Sequence, residues 1–402
     1  IHLDYGNSKK IMKEIYSNVT IVGGGLIGVA SALALSKLGL KVTILEHKPI
    51  YQKRNNQDTR TIAISEGTKN FLNKLDIWNK LEKYSEPIKA IKIIDRDLSN
   101  NLDFDNSRRT SNLGYIIKNK IFLDIFYREI NKIKNIKVYN NVSIQKLEKS
   151  DYSVIYTQKF LFKSDLCVAA DGKKSSIKNL LKVNDYKKNY NKKALVTTFV
   201  HTKSHNNIAY EFFFRDGPLA ILPMQKEKNK FISSIVWTNK NNFVDLLCLN
   251  ENKILSLILT QKTNKIIGDV KKIITKQAFP ISAHVNTSFH SSNTIFIGDS
   301  AHSFHPIAGQ GWNLGMKDIE TLFELSKNYL SLGMEVGGEN FCKDYHDNSY
   351  FRAYRLFQLT DKLDNLFLKD SMFFKVLRSS GLKLIKKNQN IKNKISDFAM
   401  GF

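Results

Sequence analysis

The first residues that could do chemistry are three glycines with the spacing Gly23-x-Gly25-x-x-Gly28. They lie between a predicted buried strand and a predicted helix rich in Ala and Leu. Gly23 permits a tight turn, Gly25 lets the backbone approach a pyrophosphate at the helix N-terminus, and Gly28 lets the helix pack close to the sheet. Glu46 ends a second predicted strand, where a carboxylate can accept both ribose hydroxyls. The pattern predicts a dinucleotide site without separating FAD from NAD, and a glycine-rich packing turn is the alternative.

A second glycine-rich stretch begins with Gly298-Asp299, after another predicted strand, and runs to Gly315. Glycines and a proline cluster there before a helix, so that backbone N–H groups could face an anionic ring or a carbonyl. Asp299, at the strand end, could hold a polyol hydroxyl. Metal binding by Asp299, His302 and His305 is the alternative. We do not favour it, because two histidines in a Gly/Pro-rich stretch are not expected to converge and no further ligand is evident.

Between these stretches, Asp171-Gly172 follows a predicted strand, and alone it predicts only a turn. In this order and spacing, however, the three motifs resemble those of the class A FAD-dependent aromatic hydroxylases. The stretch from Gly298 is similar to the version in the ubiquinone-biosynthesis hydroxylase group (2-octaprenyl-6-methoxyphenol hydroxylase-like). The resemblance covers nearly the whole chain and includes the segments Asp58–Ser65, Gly217–Pro223, Ser234–Trp237, Thr360–Phe367 and Ala399–Gly401.

The resemblance implies roles for the motif residues. The ADP half of FAD would be held by Gly23, Gly25, Gly28 and Glu46. Arg60 would lie near the flavin, Asp299 would bind the ribitol, and Asp171 would belong to a motif shared by FAD and the incoming nicotinamide cofactor. The isoalloxazine would be lined by Gly309, Gly311, Trp312 and Asn313. His305, followed by Pro306, is the candidate for a polar group near the flavin, and a structural hydrogen-bonding histidine is the alternative.

Two lysines depart from the family pattern. The family usually has arginine where this chain has Lys178, and again near Lys120. Lysine keeps the charge but loses bidentate geometry, so the strength of NAD(P)H docking is left open.

The implied reaction is hydroxylation of an electron-rich ring, with FAD as cofactor, NADH or NADPH as reductant and O₂ as the oxygen source. In the ubiquinone group the substrate is a polyprenylated phenol. The cofactor carries the chemistry, so the protein has to orient the ring and exclude water. The alternatives are a flavin hydroxylase or reductase of another aromatic or isoprenoid substrate, a halogenase, or a non-catalytic flavin-binding member of a biosynthetic complex.

The predicted fold class is α/β, with three parts. A Rossmann-type FAD-binding domain is expected over 17–84, 113–185 and 283–345. An inserted, mostly antiparallel β-sheet substrate domain is expected over 85–112 and 186–282, where aromatic and β-branched runs are punctuated by Gly and Pro. Helices are expected over 346–402.

Aromatic strands of the second domain are expected to line the substrate pocket. We predict Phe212, Phe214 and Trp237 as lining residues, with Phe213 as a further candidate. Because side chains alternate along a strand, only about half of such a run can face the pocket.

The formal net charge of +25 comes mainly from lysines scattered along the chain. Nucleic-acid binding would need basic and aromatic residues interleaved on one face, and no such stretch is present. Two explanations stay open: a coding bias that fills surface positions with lysine, and attraction to an anionic membrane surface.

An uncharged run from Tyr16 to Ser36 imitates a signal anchor, but its bunched glycines and the strand that follows favour a cytosolic nucleotide-binding unit. Three dispersed cysteines argue against a disulfide framework and for a reducing compartment. We therefore expect a cytoplasmic protein. The segment from Ser371 to Ser396 has basic residues and no acid, which suits either an interfacial helix on the inner membrane face or a packed helix with a solvated lysine face.

Overall fold

The computed structural model describes residues 12–49, 58–95, 101–105, 112–306, 309–368, 380–381 and 383–400. The strands are β1 Lys13–Val22, β2 Val42–Glu46, β3 Thr61–Ser65, β4 Glu86–Ile88, β5 Ala90–Ile94, β6 Asn101–Asp105, β7 Gly114–Lys118, β8 Ile136–Asn140, β9 Ile144–Lys149, β10 Ser153–Thr157, β11 Phe160–Ala169, β12 Asp185–His201, β13 Ile208–Phe214, β14 Gly217–Glu227, β15 Lys230–Lys240, β16 Val270–Asn286, β17 His290–Ser291, β18 Thr294–Phe296 and β19 His302–Ser303. The helices are α1 Leu26–Lys37, α2 Glu66–Lys74, α3 Trp78–Leu81, α4 Asn119–Ile130, α5 Ser176–Leu180, α6 Asn241–Leu249, α7 Asn252–Ile267, α8 Gln310–Ser331, α9 Gly338–Leu368 and α10 Gln389–Met400.

The first sheet is built on parallel strands in the order β18-β11-β1-β2-β8. Its central strands are apolar on both faces, as expected for a parallel sheet covered on both sides. The antiparallel strands β17 and β10 add to it, and β9 pairs with β10. The carboxyl ends of β1, β2, β11 and β18 meet at one edge, where ligands bind in open α/β sheets.

Helix α1 fixes the geometry at that edge. Its residues from Gly28 to Ser36 are all buried, and the helix packs against α4 and α8. Gly39 follows the last turn and has a left-handed backbone (φ 84°), which is common for the residue just after a helix.

The second sheet has the order β19-β16-β12-β15-β14-β13-β5-β6. All its neighbouring pairs are antiparallel except β13 with β5. Helices α6 and α7 cover one face, where a core forms around Phe199, Leu219 and Trp237. The expected α/β class, with a Rossmann-type unit and a mostly antiparallel second sheet, is confirmed.

A small third sheet, β3-β7-β4, joins the two larger ones. β4 comes from the predicted segment 85–112, yet it pairs with β7 rather than with the second sheet. Conversely, β19 comes from the predicted FAD-binding segment but pairs with β16. The two domains therefore share strands at their junction, and the bounds given above stay a prediction.

No helix among the described residues is both long enough and apolar enough to span a bilayer. The uncharged run from Tyr16 to Ser36 forms β1, the glycine turn and α1. Of the basic C-terminal segment, residues 371–379 and 382 lie outside the described residues, so the prediction of an interfacial helix there is not tested. In the described part, Lys383, Leu384 and Lys386 are exposed.

Candidate functional site

The glycine turn after β1 packs too closely for any side chain at two of its positions. Gly23 has φ 111°, and a Cβ there would lie 2.4 Å from the Ala170 carbonyl oxygen. A Cβ on Gly28 would lie 1.9 Å from the Gly23 carbonyl oxygen. Around Gly25, by contrast, the space is open to 4 Å. Gly25 precedes α1, whose N-terminus has no side-chain cap and no acid in its first turn. An open, uncapped helix N-terminus fits a pyrophosphate.

Glu46 holds the same turn from the neighbouring strand. Its side chain is buried, and its Oε2 accepts a hydrogen bond from the Gly24 N–H at 2.5 Å. On the other side of the turn, the buried Tyr127 hydroxyl donates to the Gly24 carbonyl at 2.6 Å. Sequence reasoning missed Tyr127, because it lies on α4, far along the chain. The acid is thus placed at the carboxyl end of β2, beside the opening above Gly25.

The Gly298-Asp299 turn is held from beneath by Asp318, which is fully buried on α8. Asp318 Oδ2 accepts hydrogen bonds from the Gly298 N–H at 3.0 Å and from His302 Nε2 at 2.6 Å. Arg352 on α9 approaches Asp318 Oδ1 at 3.6 Å. His302 therefore serves this network. Neither Asp318 nor Arg352 was singled out from the sequence.

Asp299 itself faces an open cleft. Its side chain is exposed to solvent and makes no hydrogen bond with a described residue. Yet enough protein surrounds it that burial raises the pKa of its carboxyl, against the opposing effects of His302, Lys173 and Arg60. A carboxylate that solvent reaches, but that protein surrounds, is typical of the floor of a ligand cleft. The Asp299 carboxylate therefore fits a polyol hydroxyl as its hydrogen-bond donor.

The turn before α8 is fixed by Asn313. Gly309 has a left-handed backbone (φ 61°) and begins the helix. Asn313 Oδ1 accepts from the Ser65 N–H at 2.9 Å and the Thr68 hydroxyl at 3.0 Å, while Nδ2 donates to the Ala63 carbonyl at 2.9 Å. Its side chain is thus occupied in tying α8 to β3 and α2, and only its backbone is left for a cofactor.

The two other residues predicted at this turn lie differently. Gly311 has open space within 4 Å of where a Cβ would stand. Trp312 packs edge-on against Phe122 of α4, with ring centroids 5.2 Å apart. Its buried Nε1 has no hydrogen-bond partner among the described residues. Contact of either residue with an isoalloxazine stays a prediction.

Arg60 lies just before β3 and contacts the second sheet. It makes a forked ion pair with Asp58, with Nη2 to Oδ2 at 2.7 Å and Nε to Oδ1 at 2.9 Å. Although burial raises the pKa of Asp58, the hydrogen bonds from Arg60 lower it overall. The guanidinium also lies 5.4 Å from the ring centre of Phe279 on β16. We call the edge of the first sheet where β1, β2, β11 and β18 end the cofactor edge. Arg60 is thereby held between the cofactor edge and the second sheet.

Asp171 caps a helix in this structure. Its Oδ2 accepts hydrogen bonds from the Ser176 N–H at 2.6 Å and the Ser176 hydroxyl at 2.9 Å, at the start of α5. Its other oxygen, Oδ1, is buried without a hydrogen-bond partner among the described residues. Lys178 forms a buried ion pair with Asp185 at 2.7 Å. Both residues therefore have structural tasks, and the nicotinamide role of Asp171 stays a prediction.

His305 is buried, and its ring meets Tyr190 edge-on at 4.9 Å between centroids. Burial, together with Lys192 and Lys188, lowers the pKa of His305 to about 3. The imidazole is neutral near pH 7, so it cannot supply positive charge to a flavin. Pro306 next to it is exposed. A role for either residue near the flavin stays a prediction.

Three residues of the predicted pocket lining lie in a hydrophobic core. Phe212, Phe214 and Trp237 lie on the face of the second sheet that α6 and α7 cover, in its core. Lys262 of α7 lies over the rings of Phe214 and Trp237, at 4.6 and 5.2 Å from their centres. Because successive strand residues point to opposite faces, Phe213 lies on the other face, and the lining of the pocket stays a prediction.

On the opposite face, Gln277 and Phe279 of β16 contact Thr59 and Arg60. One line of paired residues crosses this face, which we call the cleft row: Ile93, Glu211, Ala220, Val236, Val196 and Gln277. All but Val196 are only half-buried, although they lie within the sheet. Gln277, at the end of the row, accepts a hydrogen bond from the Thr59 hydroxyl at 2.9 Å, beside Arg60. Interior strands that stay half-buried on one face border a space that the described residues do not fill.

Comparisons with known proteins agree with this architecture. A family model described as an FAD binding domain matches residues 16–327, more than half of the chain. Ubiquinone hydroxylase UbiL of Rhodospirillum rubrum is 25% identical over 388 residues, which cover 96% of this chain and 90% of that protein. The mitochondrial ubiquinone biosynthesis monooxygenase COQ6 of Dictyostelium discoideum is 24% identical over 461 residues, with 97% and 92% covered.

Among solved structures, p-nitrophenol 4-monooxygenase PnpA from Pseudomonas putida superposes with a TM-score of 0.76 at 15% identity, covering 97% of this chain and 98% of that one. At this identity the likeness shows a shared fold. The resemblance inferred from the three sequence motifs is confirmed.

Proposed function

We propose that this chain, which belongs to the FAD binding domain family and takes FAD as its cofactor, hydroxylates the ring of a polyprenylated phenol in ubiquinone biosynthesis. The observation that carries the proposal is the position of the cleft row. The row is half-buried and mostly apolar, and at one end its Gln277 accepts a hydrogen bond from Thr59, next to Arg60, whose charge acts on Asp299. Names of relatives, including UbiL of Rhodospirillum rubrum, support the same substrate class.

The residues of the cofactor edge divide the work of holding FAD. The open helix N-terminus at Gly25 would receive the pyrophosphate, Glu46 would receive the ribose, and Asp299 would accept a ribitol hydroxyl. Bound there and reduced by NADH or NADPH, FAD would supply the activation of O₂. One oxygen atom then enters the ring, and the other leaves as water with the two electrons of the nicotinamide cofactor.

The chain's own contribution is to place the ring and keep water out. Ala220, Val236 and Ile93 give the cleft row an apolar surface on which an aromatic ring can lie flat. Asn313 and Asp318 fix the two turns opposite, so the distance between ring and cofactor is set by buried hydrogen bonds. Such fixed geometry lowers the barrier through orientation.

FAD binding is tested by the colour of the purified protein and by one substitution. We expect flavin absorbance that denaturation releases. Asp299→Ala should weaken FAD binding by ~1.5–3 kcal/mol, roughly 10- to 150-fold, since a charge-assisted hydrogen bond is lost. Asp151→Ala, which removes an exposed acid in the β9–β10 hairpin, is the control. A folded protein that takes up no FAD would contradict the proposal.

The substrate class is tested by varying the prenyl tail. Burial of apolar surface is worth ~25 cal/mol per Å², so kcat/KM should rise with the number of isoprene units on the phenol. The measurement is NAD(P)H-dependent O₂ consumption together with the product mass. If soluble hydroxybenzoates turned over much faster than every prenylated phenol, the ubiquinone assignment would be wrong. Flavin reoxidation without any hydroxylated product would indicate a reductase or a non-catalytic member of a complex.

We also propose that the protein works in the cytoplasm at the inner face of a membrane, where a prenylated substrate is dissolved. The support is the net charge of +25 and the exposed Lys383, Leu384 and Lys386 near the C-terminus. In the assay just given, substrate in anionic vesicles should be used faster than substrate in neutral vesicles, and equal rates would remove this part of the proposal.

A further inference from the structure

Glu211 lies in the middle of β13, between Ile93 of β5 and Ala220 of β14. Its neighbours Phe212 and Tyr210 point to the face covered by α6 and α7. Strand alternation therefore turns Glu211 to the cleft row, of which it is the only ionisable member. The sequence places it inside an aromatic run, where it was not recognised as a candidate.

The surroundings of Glu211 offer it no partner. It makes no ion pair or hydrogen bond with a described residue, and burial alone raises the pKa of its carboxyl to about 8. Helix α9 brings apolar side chains to this face, where Leu363 and Leu366 pack with Phe213. Asp361, an acid of the same helix, is engaged by Lys188.

An unpartnered carboxyl in an apolar setting costs free energy. The cost is offset when a ligand supplies the missing hydrogen bond. A ligand that lies on Ala220 and Val236 and carries a hydroxyl at its edge would reach Glu211 along the cleft row. A phenol has this form.

We propose that Glu211 is the residue that binds the ring hydroxyl of the substrate and takes its proton. This proposal rests on the proposed function. The phenol O–H bond breaks, an O–H bond forms on the Glu211 carboxylate, and the electron pair left on oxygen enters the ring. The ring carbons ortho and para to that oxygen become more nucleophilic toward the oxygen atom that O₂ supplies. When the hydroxylated carbon loses its own proton to water, the ring regains aromaticity and Glu211 returns its proton to the ring oxygen.

The strength of the base suits this task. A phenol has a pKa near ~10, and an ordinary glutamate near ~4.3 is too weak a base to compete for its proton. At about 8, the pKa of Glu211 is close enough for effective proton transfer. Because the carboxyl must be ionised to accept the proton, kcat/KM should rise with pH through about 8.

The test uses the FAD-loaded full chain and Glu211→Gln, which keeps the shape and removes the base. Two substrates are compared: a prenylated phenol and its methyl ether, which has no proton to give. We expect Glu211→Gln to lower kcat/KM for the phenol about 100- to 10,000-fold, to lose the rise through pH 8, and to leave the slow rate on the ether unchanged. Glu335→Gln, at an exposed position between α8 and α9, is the control and should behave as wild type.

A binding measurement without turnover separates this proposal from the proposed function. A bound phenolate absorbs at longer wavelength than a phenol, so wild-type protein above pH 8 should shift the phenol spectrum and Glu211→Gln should not. If wild type hydroxylates phenols and Glu211→Gln keeps its rate and pH profile, Glu211 is not the base, while the proposed function stands. If the wild-type protein hydroxylates no phenol, the proposed function fails. If, in addition, wild type and Glu211→Gln give the same spectrum of bound phenol above pH 8, the role of Glu211 is overturned as well. Should Glu211→Gln not fold, a wild-type profile without an ionisation near pH 8 overturns it.

Discussion

Gly28→Ala is expected to give a protein that neither folds stably nor retains FAD. The new Cβ would stand 1.9 Å from the Gly23 carbonyl oxygen, which is backbone and cannot rotate away. Helix α1 would have to move, yet it is buried along its length between the sheet, α4 and α8. Overpacking of this kind costs ~3 kcal/mol or more, against a total stability of roughly 5–15 kcal/mol. Thermal unfolding and flavin absorbance of the purified variant measure the effect.

Gly25→Ala is the matched control in the same turn. Its backbone has φ −77°, which alanine adopts freely, and nothing lies within 4 Å of the added methyl. The variant should unfold at the same temperature as the wild-type apoprotein and should bind FAD more weakly, because the methyl enters the space proposed for the pyrophosphate. Wild-type stability in Gly28→Ala, or wild-type FAD affinity in Gly25→Ala, would contradict this account of the turn.

Asp318→Ala is expected to destabilise the protein by about 3–5 kcal/mol, the usual result of removing one partner from a buried charged network. The Gly298 N–H and His302 Nε2 would lose their acceptor inside the protein, and Arg352 would lose its counter-charge. Since the same acceptor fixes the turn that carries Asp299, FAD should also bind more weakly. Urea unfolding and FAD titration measure the two effects.

Two further variants make the Asp318 result interpretable. Asp318→Asn keeps one carbonyl oxygen for the Gly298 N–H and should lose less stability than Asp318→Ala. Asp269→Ala removes an exposed acid paired with Lys271 at 3.1 Å and should cost no more than about 1 kcal/mol, as exposed ion pairs do. If Asp318→Ala were as mild as Asp269→Ala, the buried network would not hold the turn.

Local patterns were sufficient to predict the cofactor edge. The glycine spacing and Glu46 specify a strand, a turn and a helix within a short stretch, and the structure has each of them in that order. Asp318 and Tyr127 were not predicted as site residues, because neither belongs to a motif that can be recognised in the sequence around it. Each is an ordinary-looking helix residue that becomes functional only when the chain brings it to a turn from which it is far away in sequence.

The phase of the aromatic strand could not be read from the sequence either. Three consecutive phenylalanines, Phe212 to Phe214, are equally apolar on both faces of β13. What decides between the faces is the packing of α6 and α7, whose sequences follow later. Because the sequence does not show which residues of β13 face α6 and α7, it also does not show which face of the sheet carries the Glu211 side chain.

The interleaving of the two large sheets has a consequence for biosynthesis. Gly23 lies in the first strand–helix unit, whereas Asp299 and the turn before α8 are made roughly 280 residues later, which at about 5–20 residues per second is ~14–56 s of translation. Strand β1 must wait for β11, and β11 for β18, before the parallel sheet is complete. During that interval the apolar strand β1 can pair with β2 but lacks β11 on its other side. The nascent chain is therefore a natural client of chaperones, and FAD can join only as one of the last events of folding.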